Sequence, residues 1–381
     1  MVAHAPTTQP LSDEERLAWL RLSRSEKVGP MTFRRLLRSF GSASAALAVL
    51  PELARRGRGQ PISPYPAAAA VDEVARLHQM GGRLVVSCEP DYPATLACTS
   101  DAPPVIAALG NASLLRRRSI AIVGARNASA NGRFLAETLA RQLGEIGWAI
   151  TSGLARGIDA AAHQGALESG TIAVLAGGID QPYPPETEPL YHQIAQRGLL
   201  LAELALGQVP QARHFPRRNR IVSGLSEGTV VVEAAVKSGS LITARLAGEQ
   251  GRQVMAVPGS PLDPRCRGTN QLIREGAVLI ETATDVDEAV RGLASQNPVG
   301  YDKEGRQVWH TPDPGEVSDF PPESSIALVE ARLGPSPVAV DELLRQCQLS
   351  APFLRMTLLE LELAGRLQWH PGNRVSLLAT G

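Results

Sequence analysis

From about residue 70 to 295 the chain repeats one pattern: a short apolar run, usually ending in glycine or another small residue, followed by a longer amphipathic stretch. SIAIVG (119–124), WAITSG (148–153), TIAVLAGG (171–178), LLLAEL (199–204), TVVVEA (229–234), QVMAVPG (253–259) and AVLI (277–280) are short and almost continuously apolar. That is the pattern of strands buried on both faces. Between them lie helical patterns such as NGRFLAETLARQLGEIG and SLITARLAGEQG. Strands alternating with helices predict an α/β fold: a doubly wound, Rossmann-like parallel sheet over residues 65–295.

The flanks differ. Residues 10–55 read as a small helical domain, with DEERLAWLRL, a VGP turn at 28–30, MTFRRLLRSFG and SASAALAVL. RRGRGQPISPYP (55–66) is Pro/Gly-rich and reads as a linker, as does 296–322. Over 323–379, SSIALVEARLG, VAVDELLRQCQ and APFLRMTLLELELAG suggest three helices, and RLQW-HPGN-RVSLL a hairpin. Three helices and a hairpin predict a C-terminal winged-helix domain.

At 381 residues, two or three domains are expected, taking roughly 150 residues for each. The 38 basic and 38 acidic residues cancel, so a nucleic-acid or membrane partner must be argued from local clusters. No apolar run approaches a membrane span, and the N-terminus lacks the pattern of a signal peptide. Cys88, Cys98, Cys266 and Cys347 show no metal-type spacing. These features predict a cytoplasmic protein with reduced thiols, no membrane association, no metal and no cofactor.

In a parallel sheet, ligands bind beyond the carboxyl ends of the strands, so each strand-to-helix turn is a candidate site. Gly124-Ala125-Arg126, the SGLARGID turn with Gly153 and Gly157, and Lys237-Ser238-Gly239-Ser240 all precede helical stretches. Glycine permits close backbone approach, and the unpaired N–H groups of a helix start favour an anion, most naturally a phosphate. Small residues in such turns also serve packing alone. Neither GxxxxGK[ST] nor a GxGxxG after residues 119–124 is present, which disfavours a P-loop NTPase and a dinucleotide enzyme. Lys237 is conspicuous because the chain has three lysines, the others being Lys27 and Lys303, among its 38 basic residues.

The densest basic cluster is RHFPRRNR, with Arg213, Arg217, Arg218 and Arg220. Phe215 lies inside it. Arginines that track phosphates, interleaved with an aromatic ring on which a base stacks, are the ingredients of a single-strand groove, and Asn219 adds an amide donor. A solvated charge run with Phe215 as a core anchor is the plainer alternative. Candidates for catalysis are thin. Asp159 and His163 share a helix face, where they serve as acid and base or merely support the helix. Glu233 is placed to act as a base or to orient Lys237.

VGARNASANG, SGLARGIDAAAH, GGIDQPYPPE, FPRRNRIVSGLS and VVVEAAVKSGSLITA, in this order and spacing over about 84–280, closely resemble the DNA-processing protein A (DprA/Smf) family. The resemblance implies an extended Rossmann fold that binds single-stranded DNA without sequence preference and without ATP hydrolysis, and the chain is read as a binding protein rather than an enzyme. The resemblance also implies protection of incoming strands in natural transformation, loading of the RecA recombinase, and a homodimer. Carried over by motif, the DNA site comprises Gly124, Arg126, Phe215, Arg218, Asn219, Arg220, Lys237, Ser238, Gly239 and Ser240, with Arg213 in the same cluster. Ala125 stands where serine is commoner in the family. The N-terminal zone resembles the family's sterile-alpha-motif or helix-hairpin-helix-like domain, whose VGP turn would touch phosphate or serve packing.

Two other readings compete. A nucleotide-processing enzyme of the lysine-decarboxylase-like phosphoribohydrolase fold would need Glu233 as a working carboxylate. A transcription regulator would read duplex through APFLRMTLLELELAG, where Glu360 and Glu362 oppose Arg355. Those acids suit a protein contact better than DNA.

Overall fold

The computed structural model describes residues 11–60, 62–296 and 323–378. In chain order, α1 (Asp13–Arg24), α2 (Pro30–Phe40), α3 (Ala43–Arg56) and α4 (Ala67–Gln79) precede β1 (Gly82–Val86), α5 (Ala94–Ala97) and β2 (Val105–Gly110). Next come β3 (Ser119–Val123), α6 (Ala130–Glu145), β4 (Ala149–Ser152), α7 (Ile158–Gly165), β5 (Thr171–Gly178), α8 (Glu188–Arg197) and β6 (Leu199–Leu204). α9 (His214–Leu225), β7 (Gly228–Val231), α10 (Gly239–Glu249), β8 (Gln253–Ala256), α11 (Arg267–Arg274), β9 (Val278–Leu279) and α12 (Ala283–Gln296) complete the alternating region. After it stand α13 (Glu323–Glu330), β10 (Val338–Ala339), α14 (Val340–Cys347), α15 (Ala351–Leu363), β11 (Leu367–His370) and β12 (Arg374–Leu377). The expected linker at 296–322 lies, beyond Gln296, outside the described residues.

The nine-stranded sheet has the order β1-β2-β6-β5-β4-β3-β7-β8-β9. All seven apolar runs form strands, and from β6 to β9 every neighbouring pair is parallel. The strand alternation divides them between two cores. Ile120 and Ile122 of β3 pack with α6, α7 and α12, whereas Ala121 and Val123 pack on the opposite face with Ile221, Val222 and Leu225 of α9. Two features depart from the periodicity. β1 and β2 add antiparallel strands beside β6, and Val278 and Leu279 of β9 are exposed rather than buried, because β9 is the terminal strand of the sheet.

Strands β3 to β6 run outward from the centre in one direction, whereas β7 to β9 run outward in the other. The direction of winding therefore reverses between β3 and β7. At such a switch point the loops diverge to opposite faces and leave a crevice at the strands' carboxyl ends.

A second compact unit comprises the described residues of 10–72 together with those of 312–381. Its helical part is closed by Trp19 against Phe33, centroids 4.9 Å apart, and its winged-helix part by Leu343, Leu354, Leu358, Leu361 and Val375. β11 and β12 form the expected hairpin, with Gly372 and Asn373 at φ of 78° and 55° in the turn. The stretch 55–66 departs from the expected free linker. α3 continues through Arg56, and a Cβ on Gly57 or Gly59 would overlap the backbone of α15 at Glu360 and Ala364. The glycines let two helices touch. Val28 is buried and Pro30 opens α2 behind the Gly29 cap, so the VGP turn serves packing.

Both acids of α15 have partners in this unit. Glu360, wholly buried, accepts from Arg56 Nε at 2.6 Å. Glu362 accepts from Arg35, Thr32 and the Trp369 indole. Burial pushes the Glu360 carboxyl above its ordinary range, and Arg56 opposes that shift. Removing one member of a buried ion pair is strongly destabilising, so Glu360→Ala is expected to cost about 3–5 kcal/mol in a denaturant titration. The double variant Arg56→Met/Glu360→Met should recover most of that loss. Additive single and double effects would show that the pair is not coupled.

Candidate nucleic-acid interface

The three glycine turns lie at the same sheet edge, yet they are filled differently. After β3, the N-terminus of α6 already holds an anion from the chain itself. The Ser129 N–H donates to Glu233 Oε2 at 2.9 Å, its hydroxyl donates to Oε1, and the Gly132 N–H donates to Ser129 Oγ at 2.8 Å. Glu233, from the segment after β7, thus closes the crevice floor and is itself buried. It neither approaches Lys237 by any hydrogen bond nor stands free as a base among the described residues. Gly124 is required by packing, since a Cβ there would overlap Ile158.

The turn after β4 is satisfied in the same way. The N–H groups of Gly153 and Ala155 donate to Asp159 Oδ2 at 3.2 and 3.4 Å, and that of Leu154 donates to His163 Nε2 at 3.3 Å. Because Nε2 accepts, the ring proton belongs on Nδ1, where it meets Thr171 Oγ1 at 2.7 Å; that hydroxyl in turn donates to the Ile150 carbonyl. Burial depresses the His163 pKa to about 3. Asp159 and His163 therefore brace a loop. Gly157, at φ 79°, sits so close to Ala125 and Arg126 that a Cβ would strike their carbonyls.

The turn after β7 is left open. Ser238 caps α10, accepting from the Ser240 N–H at 3.4 Å, and the two hydroxyls lie 2.7 Å apart. The first turn of α10 carries no acid. A Cβ built on Gly239 meets nothing within 4 Å. Lys237 is exposed and, among the described residues, makes no ion pair. Asn219 reaches this turn from α9, its Nδ2 being 3.5 Å from the Gly239 carbonyl.

The arginine cluster sorts into two sets. Arg217 and Arg220 both pair with Glu203 of β6, Arg220 at 2.5 Å, and Arg220 also donates to the Asp101 carbonyl. Arg218 runs under α9 to the carbonyls of Gly153 and Val174, the latter at 2.6 Å. Its pKa is lowered to about 10 by burial, which nearby Asp159 partly offsets. Arg218 and Arg220 are internal struts, not free phosphate contacts, because the inner face of α9 lies on the sheet, chiefly on β5, and their side chains end on β5 and on Glu203 of β6. The outward set is Arg213, which makes no ion pair among the described residues, and Arg126, exposed with its guanidinium 5.1 Å from the Phe215 ring centre. Phe215 is half-buried and pairs with Tyr183.

Glu203 and Tyr183 were not singled out by motif. An acid inside the apolar run LLLAEL was the signal available for Glu203; Tyr183 lies inside the GGIDQPYPPE stretch, which gave it no role by itself. Among the described residues no cluster of His, Cys, Asp and Glu is arranged to hold a metal, the four cysteines form no disulfide, and no helix is long and apolar enough to cross a membrane.

Two outcomes follow. Arg218→Leu should lower stability by about 3 kcal/mol, as the Gly153 and Val174 carbonyls and the buried Asp159 lose their cationic partner, while Arg213→Ala should change it by less than about 0.5 kcal/mol; equal thermal shifts would contradict the sorting. His163 stays neutral in the folded protein down to about pH 3, whereas the unfolded chain binds its proton below the ordinary value of 6.5. Its contribution is complete above pH 6.5 and is lost as pH falls toward 3. Asp159, held above its ordinary range mainly by burial, pulls oppositely in the acid part of that window. Between pH 7 and 5, wild type should therefore lose about 2 kcal/mol more than His163→Gln in urea titrations. Parallel losses would overturn the assignment.

Comparison with known proteins shows which family the chain is similar to. Residues 83–291 match the family described as DNA recombination-mediator protein A, 13–75 the DprA-like N-terminal HHH domain, and 317–373 the DprA winged helix domain. The chain is 36% identical to protein Smf of Escherichia coli over 320 residues, 82% of each chain, and 43% identical to DNA processing protein DprA of Bacillus subtilis over 218 residues, covering 56% of this chain and 73% of that one. DNA processing protein A from Streptococcus pneumoniae superposes with a TM-score of 0.61 at 32% identity, over 74% of this chain and 98% of the other. The Helicobacter pylori protein, whose structure concerns its single-stranded DNA binding mode, matches with a TM-score of 0.51 at 29% identity, over 56% and 96%. A family model matched over more than half of the chain, together with a relative 36% identical over 82% of each chain, places this chain in the DNA recombination-mediator protein A family.

Proposed function

We propose that the carboxyl edge of the sheet binds single-stranded DNA without sequence preference and without catalysis, and that the protein passes the strand to the RecA recombinase in transformation and recombination. The observation that carries the DNA-binding part is the unequal filling of the turns. The chain's own carboxylates occupy the turns after β3 and β4, while the Lys237–Ser240 turn offers a helix start, a cation and space. Asn219, Phe215 and Arg126 extend that turn along the edge. A row of this kind fits a polymer backbone. The RecA step, the homodimer and a cytoplasmic location rest on family membership.

The competing readings gain no support from the geometry. Glu233 is buried and bonded at the start of α6, which leaves a phosphoribohydrolase without its carboxylate. The acids of α15 are engaged with Arg56 and Arg35, which suits a protein contact rather than duplex reading.

Lys237 differs from arginine in presenting a compact, rotatable charge rather than a planar fork, so Lys237→Arg should bind more weakly than wild type despite equal charge. Titration of an oligo-dT against salt measures the effect, each neutralised phosphate adding about 0.7 to the slope for single strands. Lys237→Ala and Arg126→Ala should each lower affinity by about 10- to 150-fold, the range of a lost charge-assisted hydrogen bond. Gly239→Ala should leave stability unchanged or higher, since alanine favours helices, yet weaken binding by crowding the backbone donors. A flat salt response, or unchanged affinity in all of these variants, would sink the proposal.

A further inference from the structure

Tyr183 lies between β5 and α8, at the same strand ends as the open turn. Its side chain is 45% exposed. The ring stands 5.9 Å from that of Phe215 with 59° between the planes, and the Arg126 guanidinium lies over Phe215 at 5.1 Å. Phe215, the ring that the motif offers for stacking, is thus half-buried between a cation and a second ring. The aromatic surface left to solvent is Tyr183's. Phe134 is more exposed still, but it has no ring contact among the described residues, so exposure alone does not distinguish Tyr183. The row Tyr183–Phe215–Arg126 does.

The surroundings of Tyr183 tolerate a polyanion. The neighbouring acids are each matched: Asp180 pairs with Arg76 at 3.3 Å and accepts the Gly207 N–H at 2.8 Å, and Glu186 pairs with Arg156 at 3.1 Å. Along α9, Asn219 follows Phe215 by one turn and reaches Gly239. Stacking surface, cation and open helix start therefore succeed one another along one edge.

We infer that Tyr183 is the base-stacking surface of this interface and Phe215 its support, so that a base of a single strand lies on Tyr183 while phosphates run past Arg126 toward the Lys237 turn. This rests on the single-strand reading above. Every base has a π-face, so the contact adds affinity without reading sequence, and its polar hydroxyl keeps the free ring compatible with water.

The test pairs two polymers with equal phosphates, an oligo-dT 20-mer and a fully abasic 20-mer, titrated at fixed salt. Tyr183→Ala should weaken oligo-dT binding by about 5- to 150-fold, the equivalent of 1–3 kcal/mol for one stacked base. Abasic binding should change less than about twofold and the salt slope should not move. Tyr183→Leu, which keeps an apolar contact on Phe215, should behave as the alanine variant does, and Tyr183→Trp should restore wild-type affinity. Undiminished oligo-dT binding by the alanine and leucine variants, or an equal loss on both polymers, would overturn the role of Tyr183 while leaving the DNA interface in place. Failure of wild type to bind either polymer would remove the interface and, with it, this inference.

Discussion

At the reversal of winding between β3 and β7, the carboxylate of Glu233 fills the N-terminus of α6, and the rest of the edge is arranged around that contact. A parallel sheet collects helix N-termini on one side, each with unpaired N–H groups and a favourable field for anions. Left open together, they would form a diffuse anion-binding surface. Glu233 satisfies one through Ser129, and Asp159 with His163 satisfies the turn after β4. Of the three glycine turns, the one that starts α10 at Gly239, beside a lysine, remains open.

The arginines obey the same division. A guanidinium is always charged and carries five donors, so it serves equally as an internal strut or as an outward cation. On α9 the deciding factor is the helix face. Arg218 and Arg220 point toward β5 and β6 and find carbonyls and Glu203, whereas Arg213 stands at the solvent end of the helix. The struts hold α9 against the sheet, and α9 in turn presents Phe215 and Asn219 at the edge. The supporting arginines and the two side chains presented at the edge, Phe215 and Asn219, thus come from one eight-residue motif.

In the second compact unit, the acids of α15 would repel a phosphate backbone, but they meet Arg56 and Arg35 of the helical part. Gly57 and Gly59 permit that approach. A stretch that composition marks as a linker is there a packing surface, because the absence of a side chain serves backbone freedom and close contact equally well.

The order of residues alone determined the alternating strands and helices, the glycine turns at the strand ends, the winged-helix pattern and the family. These depend on local periodicity and on chain-contiguous motifs. It did not reveal β1 and β2, whose antiparallel pairing is a long-range choice, nor the exposure of β9, which follows from its place at the end of the sheet. Only the tertiary structure decided which of four clustered arginines face solvent, that Glu233 caps α6, and that Tyr183 completes the aromatic row. Each of those outcomes joins residues far apart in the chain, and the partner that settles a charge's role is brought to it only by folding.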